Sequence, residues 1–120
     1  GFTLIELLVV LAIIAMLISM ASPNYFKSLQ RSKETALRHD LSVMRESISQ
    51  FYSDQNRYPQ SLQELVQAGY LKAVPVDPIT ERVDSWILIA PPASSRQFGL
   101  YDVLSGAPGI AIDGTPFNTY

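Results

Sequence analysis

The chain has 120 residues, no cysteine, nine basic and eleven acidic residues, and a formal net charge of −2 at pH 7. Without cysteine it has no disulfide framework, no thiolate nucleophile and no cysteine-based zinc site. Neither sign of charge forms a block along the sequence, so we expect no nucleic-acid partner. A chain of this length predicts one domain at most.

The N-terminal residues 2–23 are the most apolar part of the sequence. No charged residue occurs between Leu7 and Ser22, and Glu6 stands at the edge of the run. A helix of about 21 residues spans roughly 30 Å, the thickness of a bilayer's hydrocarbon core. The rest of so short a chain can hardly cover that helix on all faces, which argues against a buried core helix. We therefore predict that residues 2–23 form the membrane-crossing half of a helix.

A secretory signal peptide is the main alternative for this segment. Its apolar length fits, and Ser19-Met20-Ala21 loosely resembles a small-x-small cleavage site. The basic residues that usually precede such a run are missing, and an acid, Glu6, occupies their place. A secreted enzyme with a cleaved signal would have its mature N-terminus near Ser22.

The helical pattern continues beyond the apolar run, over residues 24–54. Apolar residues recur there at alternating steps of four and three, which is typical of a helix with one buried stripe. They are Leu37, Leu41, Met44, Ile48 and Phe51. Pro23 lies within the pattern and removes a backbone donor, so we expect a kink or local melting there. It either marks the membrane boundary or lets the helix bend during assembly.

The remaining residues predict a small mixed head. Ser61 followed by Glu64 is typical of a capping box and predicts a short helix over residues 61–68. Strand-forming stretches bounded by turn residues predict strands near 85–90, 97–103 and 109–113. A small antiparallel sheet packed on the amphipathic half of the long helix would bury the apolar face of each. The predicted fold class is therefore α+β.

The hexapeptide Gly1-Phe2-Thr3-Leu4-Ile5-Glu6 before a long apolar run resembles the class III signal of type IV pilins and type II secretion pseudopilins. A second block, Tyr58–Leu65 with Gly69–Lys72 and Asp77-Pro78, is similar to the segment after the long helix in major pseudopilins. The resemblance implies a pilin-like fold, with residues 24–120 as the head. It also implies that a prepilin peptidase cuts between Gly1 and Phe2 and methylates Phe2, so that Gly1 is a residual leader residue.

The resemblance further implies a structural subunit of a helical filament in which Glu6 pairs with the α-amino group of Phe2 on a neighbouring subunit. The implied partners are further copies of the chain, minor pilins or pseudopilins, the prepilin peptidase, an inner-membrane assembly platform, and membrane lipid before assembly. The implied location is the bacterial inner membrane, crossed once, with the head in the periplasm. The filament serves type II secretion and stays periplasmic, or it is an extracellular type IV pilus built from this chain as a major or minor pilin. The resemblance implies a disulfide near the C-terminus in many type IV pilins, so the absence of cysteine favours the pseudopilin.

The sequence contains few candidate catalytic residues. The single histidine, His39, lies between Arg38 and Asp40 on the charged part of the helix without a catalytic partner, so we expect no enzyme. A membrane-anchored binding module remains an alternative function.

Asp102, Ser105 and Asp113 surround a glycine-containing loop near the C-terminus. Carboxylate, hydroxyl and carbonyl oxygens are ligands that calcium prefers. The resemblance implies that an equivalent loop in major pseudopilins binds calcium and stabilises the head. Here the loop is short and carries only two acids, so ordinary loop acids are the alternative to a calcium site at these three residues.

Overall fold

The computed structural model describes all residues, 1–120. Two α-helices and two β-strands form the regular structure, and two short 3-10 turns follow the strands. Their order is α1 (Leu4–Gln55), α2 (Leu62–Gln67), β1 (Trp86–Ile89), a turn at Ala93–Ser95, β2 (Asp102–Ser105) and a turn at Phe117–Thr119. A long N-terminal helix packed on a small antiparallel sheet is the predicted α+β, pilin-like architecture, which is confirmed.

The chain divides into two compact units, Gly1–Ser32 and Lys33–Tyr120. The first unit, which we call the anchor, is entirely helical after Thr3, and none of its side chains is buried. Its most apolar window has a mean hydropathy of 2.8, so α1 is long and apolar enough to cross a membrane. The anchor therefore has no core of its own.

The second unit, which we call the head, is built around one apolar core. The amphipathic half of α1 contributes the predicted stripe, which is buried as expected: Leu37, Leu41, Met44, Ile48 and Phe51. The rest of the head packs against this stripe through Leu65 of α2, Trp86 of β1 and Val103 of β2. The stripe is thus where the helix and the sheet of the head meet.

The short helix α2 begins at the predicted cap. Ser61 Oγ accepts a hydrogen bond from the backbone N–H of Glu64, as in a capping box. The carboxylate of Glu64 accepts from the backbone N–H of Gln60, one residue earlier than the usual box. Gly69 follows the helix with φ of 86°, a left-handed conformation that glycine adopts without strain.

The sheet has two strands rather than three. β1 and β2 pair antiparallel, with Trp86 opposite Ser105 and Ile89 opposite Asp102. The strand predicted near 109–113 is wrong, because this stretch forms only an isolated bridge between Ile110 and Pro116. Gly109 and Gly114 both have positive φ, so the chain turns at each end of the stretch and cannot extend along a neighbour.

The strand predicted near 97–103 begins later, at Asp102. The preceding loop passes close to the end of α1, where Leu100 N–H donates to the carbonyl of Pro59. Gly99 makes this approach possible, because a Cβ there would lie 2.6 Å from the same carbonyl oxygen. The loop therefore docks on the head instead of lengthening the sheet.

Candidate functional site

The first turn of α1 is closed by a reciprocal pair of hydrogen bonds. The backbone N–H of Glu6 donates to Thr3 Oγ1 at 3.2 Å, and the backbone N–H of Thr3 donates to Glu6 Oε2 at 2.8 Å. Together they form a capping box, which satisfies two backbone donors that the helix start leaves free. Glu6 thus has a local role in its own subunit.

The sequence contained the signal for this cap. Thr3-x-x-Glu6 has the same spacing as Ser61-x-x-Glu64, yet the expectation for Glu6 concerned only a neighbouring subunit. The capping bond holds the carboxylate at the positive end of the helix macrodipole, where negative charge is favoured. Phe2, by contrast, lies outside the helix and is 92% exposed. The structure therefore places the hydrogen-bonded carboxylate of Glu6 and the exposed side chain of Phe2 at the same end of α1.

The apolar surface of the anchor is uncovered along its whole length. Its large side chains, from Leu4 to Met20, are between 46% and 76% exposed. A continuous apolar surface of this extent exceeds the few hundred Å² that soluble proteins usually expose. It requires either lipid or other apolar helices around it.

Pro23 lies inside α1, which continues across it to Gln55. The predicted local melting at Pro23 is therefore absent, although the proline lacks the N–H of a regular helical bond. A bend at this position stays a prediction. Tyr25 and Phe26 follow after Asn24, both exposed, with their rings edge to face at 5.8 Å between centroids. Aromatic residues at the end of an apolar helix are typical of the membrane–water interface.

The three predicted calcium ligands take three different partners. Asp102 Oδ1 accepts from Arg45 Nε at 2.8 Å, and Ser105 Oγ donates to Asp77 Oδ2 at 2.6 Å. Asp113 accepts from the backbone N–H of Thr115 at 3.0 Å. Each of these contacts engages one side-chain oxygen of a predicted ligand.

Strand geometry separates the candidates further. Asp102 and Ser105 are three residues apart on β2, so their side chains point to opposite faces of the sheet. Ser105 is buried, and Asp102 lies on the more exposed face. Among residues 1–120 no group of three or more His, Cys, Asp or Glu side chains is placed to hold a metal ion. The residues present therefore do not fit the calcium site that the resemblance implied.

A buried carboxylate that sequence reasoning treated only as a loop marker organises the loop before β1. Asp77 is fully buried and accepts hydrogen bonds from Ser105 Oγ and from the backbone N–H groups of Ile79 and Thr80. The Asp-Pro dipeptide indicated the turn but not this contact, because Ser105 lies 28 residues further along the chain.

Two open clefts flank the end of α1. One, of about 410 Å³, is lined by Tyr52, Tyr58 and Tyr101 with Arg45 and Asp102. The other, of about 470 Å³, includes the exposed ring of Phe98. His39 is exposed and lines neither of them.

Residues 1–22 match the family described as the prokaryotic N-terminal methylation motif. The chain is 30% identical over 132 residues to type II secretion system core protein G of Klebsiella pneumoniae, covering 97% of this chain and 86% of that protein. The Escherichia coli (strain K12) protein of the same name is 29% identical over 124 residues, covering 90% and 81%. No solved structure matches the chain significantly.

A type IV pilin is also similar, over a shorter stretch. The type IV major pilin protein PilA of Myxococcus xanthus (strain DK1622) is 38% identical over 65 residues, which is 54% of this chain and 30% of that protein. The similarity to core protein G extends over the head as well as the anchor, and it explains both the N-terminal motif and the α+β head. The chain belongs to the family of type II secretion system core protein G.

Proposed function

We propose that this protein is a structural subunit of a helical pseudopilus, the periplasmic filament of a type II secretion system. The observation that carries the proposal is the uncovered apolar anchor, which begins with a fixed carboxylate at Glu6 and is joined to a head with its own core. A single copy of this chain cannot cover the apolar surface of its own anchor, so the anchor needs apolar partners. Identical anchors packed side by side supply them.

Glu6 sets the register of that packing. A carboxylate in an apolar environment costs a few kcal/mol by insertion scales, and an unpaired one is strongly destabilising. After cleavage behind Gly1, the new α-amino group of Phe2 on a neighbouring subunit is the positive partner. The carboxylate has two oxygens and about four acceptor sites, so it can keep its bond from Thr3 N–H while it accepts from that amine.

Repetition of this contact builds a filament. The acid of one subunit meets the amine of the next through different surfaces, and such heterologous contacts propagate as an open helix when they do not close into a ring. The anchors form the filament interior and the heads form its outside.

Before assembly the same anchor lies in the inner membrane, crossing it once with the head in the periplasm. Lipid then covers the apolar surface, and Tyr25 and Phe26 lie at the interface. Residues 1–3 lie outside the helix, so the Gly1-Phe2 bond is sterically open to a prepilin peptidase, which also methylates Phe2. An assembly platform in the inner membrane and minor pseudopilins are the further partners.

An extracellular type IV pilus is the alternative filament. The pilin relative aligns with only 54% of the chain, whereas the core protein G relatives quoted above align with 90% and 97%. The two secretion relatives therefore cover nearly the whole chain, including most of the head, whereas the pilin relative covers about half of it. This difference favours the pseudopilus.

Assembly in cells that carry the secretion machinery tests the proposal. The unaltered chain should yield fibres, and its intact mass should correspond to a chain that begins at methylated Phe2. Glu6→Leu should remain in the membrane fraction but give no fibres, because it removes the charge that fixes the register. Glu46→Leu is the matched control, since Glu46 is an exposed acid on the head part of the same helix, and it should assemble. Fibres of normal length from Glu6→Leu would contradict the proposal.

A further inference from the structure

Three charged residues of α1 form a polar stripe beside the apolar one. Glu34, Arg38 and Arg45 are four and seven residues apart, which places them within about 40° of one another around the helix axis. All three contact the C-terminal segment, residues 102–120. The stripe therefore joins the long helix to the end of the chain.

Arg45 makes the most contacts in this stripe. Its Nε donates to Asp102 Oδ1 at 2.8 Å, and its Nη2 donates to the carbonyl oxygen of Val103 at 2.9 Å. The same nitrogen donates to the backbone oxygen of Tyr120. One guanidinium thus binds a carboxylate and two backbone oxygens that lie up to 18 residues apart in the C-terminal segment.

Arg38 and Glu34 extend the contact along the helix. Arg38 lies 3.4 Å from Asp113 Oδ2, donates to the Tyr120 hydroxyl, and is 4.9 Å from the centre of the Tyr120 ring. Glu34, which is 9% exposed, accepts from the backbone N–H of Ile112 at 2.7 Å. Two cations and one anion from α1 therefore fix the loop in which the calcium ligands were expected.

A guanidinium can supply what a calcium ion would supply in this place. Both carry positive charge, and both hold carboxylate and backbone carbonyl oxygens, the guanidinium through five N–H donors and the ion through coordination. Calcium has little to gain here, because the Asp102 carboxylate already pairs with the Arg45 guanidinium and a second cation beside that guanidinium would be repelled. We propose that Arg45, assisted by Arg38, replaces bound calcium in holding the C-terminal segment, so that the folding of this head does not depend on calcium.

Thermal unfolding of the full chain in detergent micelles tests this inference. Trp86 is the only tryptophan of the chain and is buried in β1, so its fluorescence reports the unfolding of the head and not of the anchor. The midpoint is measured with a chelator and with calcium at about 5 mM, above the roughly 1 mM dissociation constants of weak extracellular calcium modules. We expect the two midpoints to agree within about 1 °C, because no site gains a ligand.

Substitutions of the arginines then test whether they hold the C-terminal segment in place of calcium. Arg45→Gln should lower the midpoint by about 5 °C or more, since it removes a charge-assisted contact from a head of small size. Arg45→Lys keeps the positive charge but loses the planar set of guanidinium N–H donors. Its unfolding midpoint should lie between those of Arg45→Gln and the unaltered chain. Arg82→Gln is the matched control, because Arg82 pairs with Asp84 where both side chains are more than 60% exposed. It should shift the midpoint by less than about 1 °C.

Two results would overturn the inference. The first is a midpoint that rises by several degrees with calcium in the unaltered chain and loses that rise in Asp102→Asn. The second is an Arg45→Gln midpoint no lower than that of Arg82→Gln. If Arg45→Gln gives no folded head, Arg38→Gln provides the same comparison with the outer arginine. The test concerns only the head, so failure of filament assembly would not affect its outcome.

Discussion

The two halves of α1 belong to one continuous helix but are stabilised in different ways. In the anchor, Gly1–Ser32, every side chain is at least partly exposed, whereas the head, Lys33–Tyr120, buries a full apolar stripe of the same helix. The difference follows from the pattern of apolar residues. A helix that is apolar on all faces needs partners on all faces, and a helix with one apolar stripe needs only one. The head buries its apolar stripe within its own core, whereas the anchor requires lipid or other subunits to cover its apolar surface.

The same substitution should therefore have a large effect on the stability of the head in one half of α1 and a negligible effect in the other. Leu41→Ala, at a position 1% exposed, should lower the free energy of unfolding of the head by about 2–5 kcal/mol, because it leaves a cavity. Leu11→Ala, at a position 54% exposed, should change it by less than about 0.5 kcal/mol. Trp86 fluorescence during denaturant unfolding measures both. Equal losses would mean that the two units share one core.

Asp77 tests whether a buried, hydrogen-bonded acid side chain stabilises the head. Asp77→Ala removes the acceptor of Ser105 Oγ and of the Ile79 backbone N–H, leaving buried donors unpaired. We expect a loss of about 2–3 kcal/mol in the free energy of unfolding. Asp84→Ala, which alters an exposed acid in the same loop region, is the control and should be nearly neutral. A neutral Asp77→Ala would show that the loop is fixed by other contacts.

Removing the two helix caps should show the same difference between head and anchor with a smaller change in stability. Ser61→Ala removes the cap of α2 and should destabilise the head by about 1 kcal/mol. Thr3→Ala removes the cap of α1 and should leave the Trp86 transition unchanged, because the anchor has no part in the core of the head. A shift of that transition by Thr3→Ala would contradict this independence.

The pH dependence of the head should be the smallest effect. The pKa of Glu64 is lowered by hydrogen bonds from Arg57 and from the Gln60 backbone. Its contribution to stability is therefore complete above the unfolded pKa of about 4.3 and is lost as the pH falls through the lower folded value. Asp84 and Asp113 have lowered pKa values and act in the same direction.

Variants separate these contributions. Glu64→Gln should flatten the loss of stability in acid, measured as unfolding midpoints between about pH 5 and pH 3. Burial raises the pKa of Asp40, so its folded form favours the proton and it opposes the acid loss. Asp40→Asn should therefore steepen that loss. A steeper acid loss in Glu64→Gln or a flatter one in Asp40→Asn would contradict these pKa directions.

Much of this fold could be predicted from local patterns. The apolar run, the stripe from Leu37 to Phe51, the cap at Ser61 and the strand at Trp86 each depend on residues close in sequence. The missing third strand shows the limit, because strand-forming residues at 110–112 were outweighed by the positive φ of the glycines on either side.

The candidate site likewise has features that local sequence predicts and features that depend on residues far apart in the chain. The motif at Glu6 could be recognised from six residues, and its capping role could have been read from the same spacing. The arginine contacts could not be predicted, since Arg45 and Tyr120 lie 75 residues apart and nothing local indicates that they meet. The calcium expectation had the same limit: the sequence shows the acids near the C-terminus but not their partners on α1.

Filament assembly by Glu6→Gln separates the charge of Glu6 from its capping role, because glutamine can keep the capping bond to Thr3 N–H but carries no charge. Thr3→Ala is the reciprocal variant, which loses the capping hydroxyl and keeps the acid. We expect fibres from Thr3→Ala and none from Glu6→Gln, with both proteins present in the membrane fraction. Normal fibres from Glu6→Gln would contradict it, and they would show that Glu6 serves its own helix rather than the amine of a neighbour.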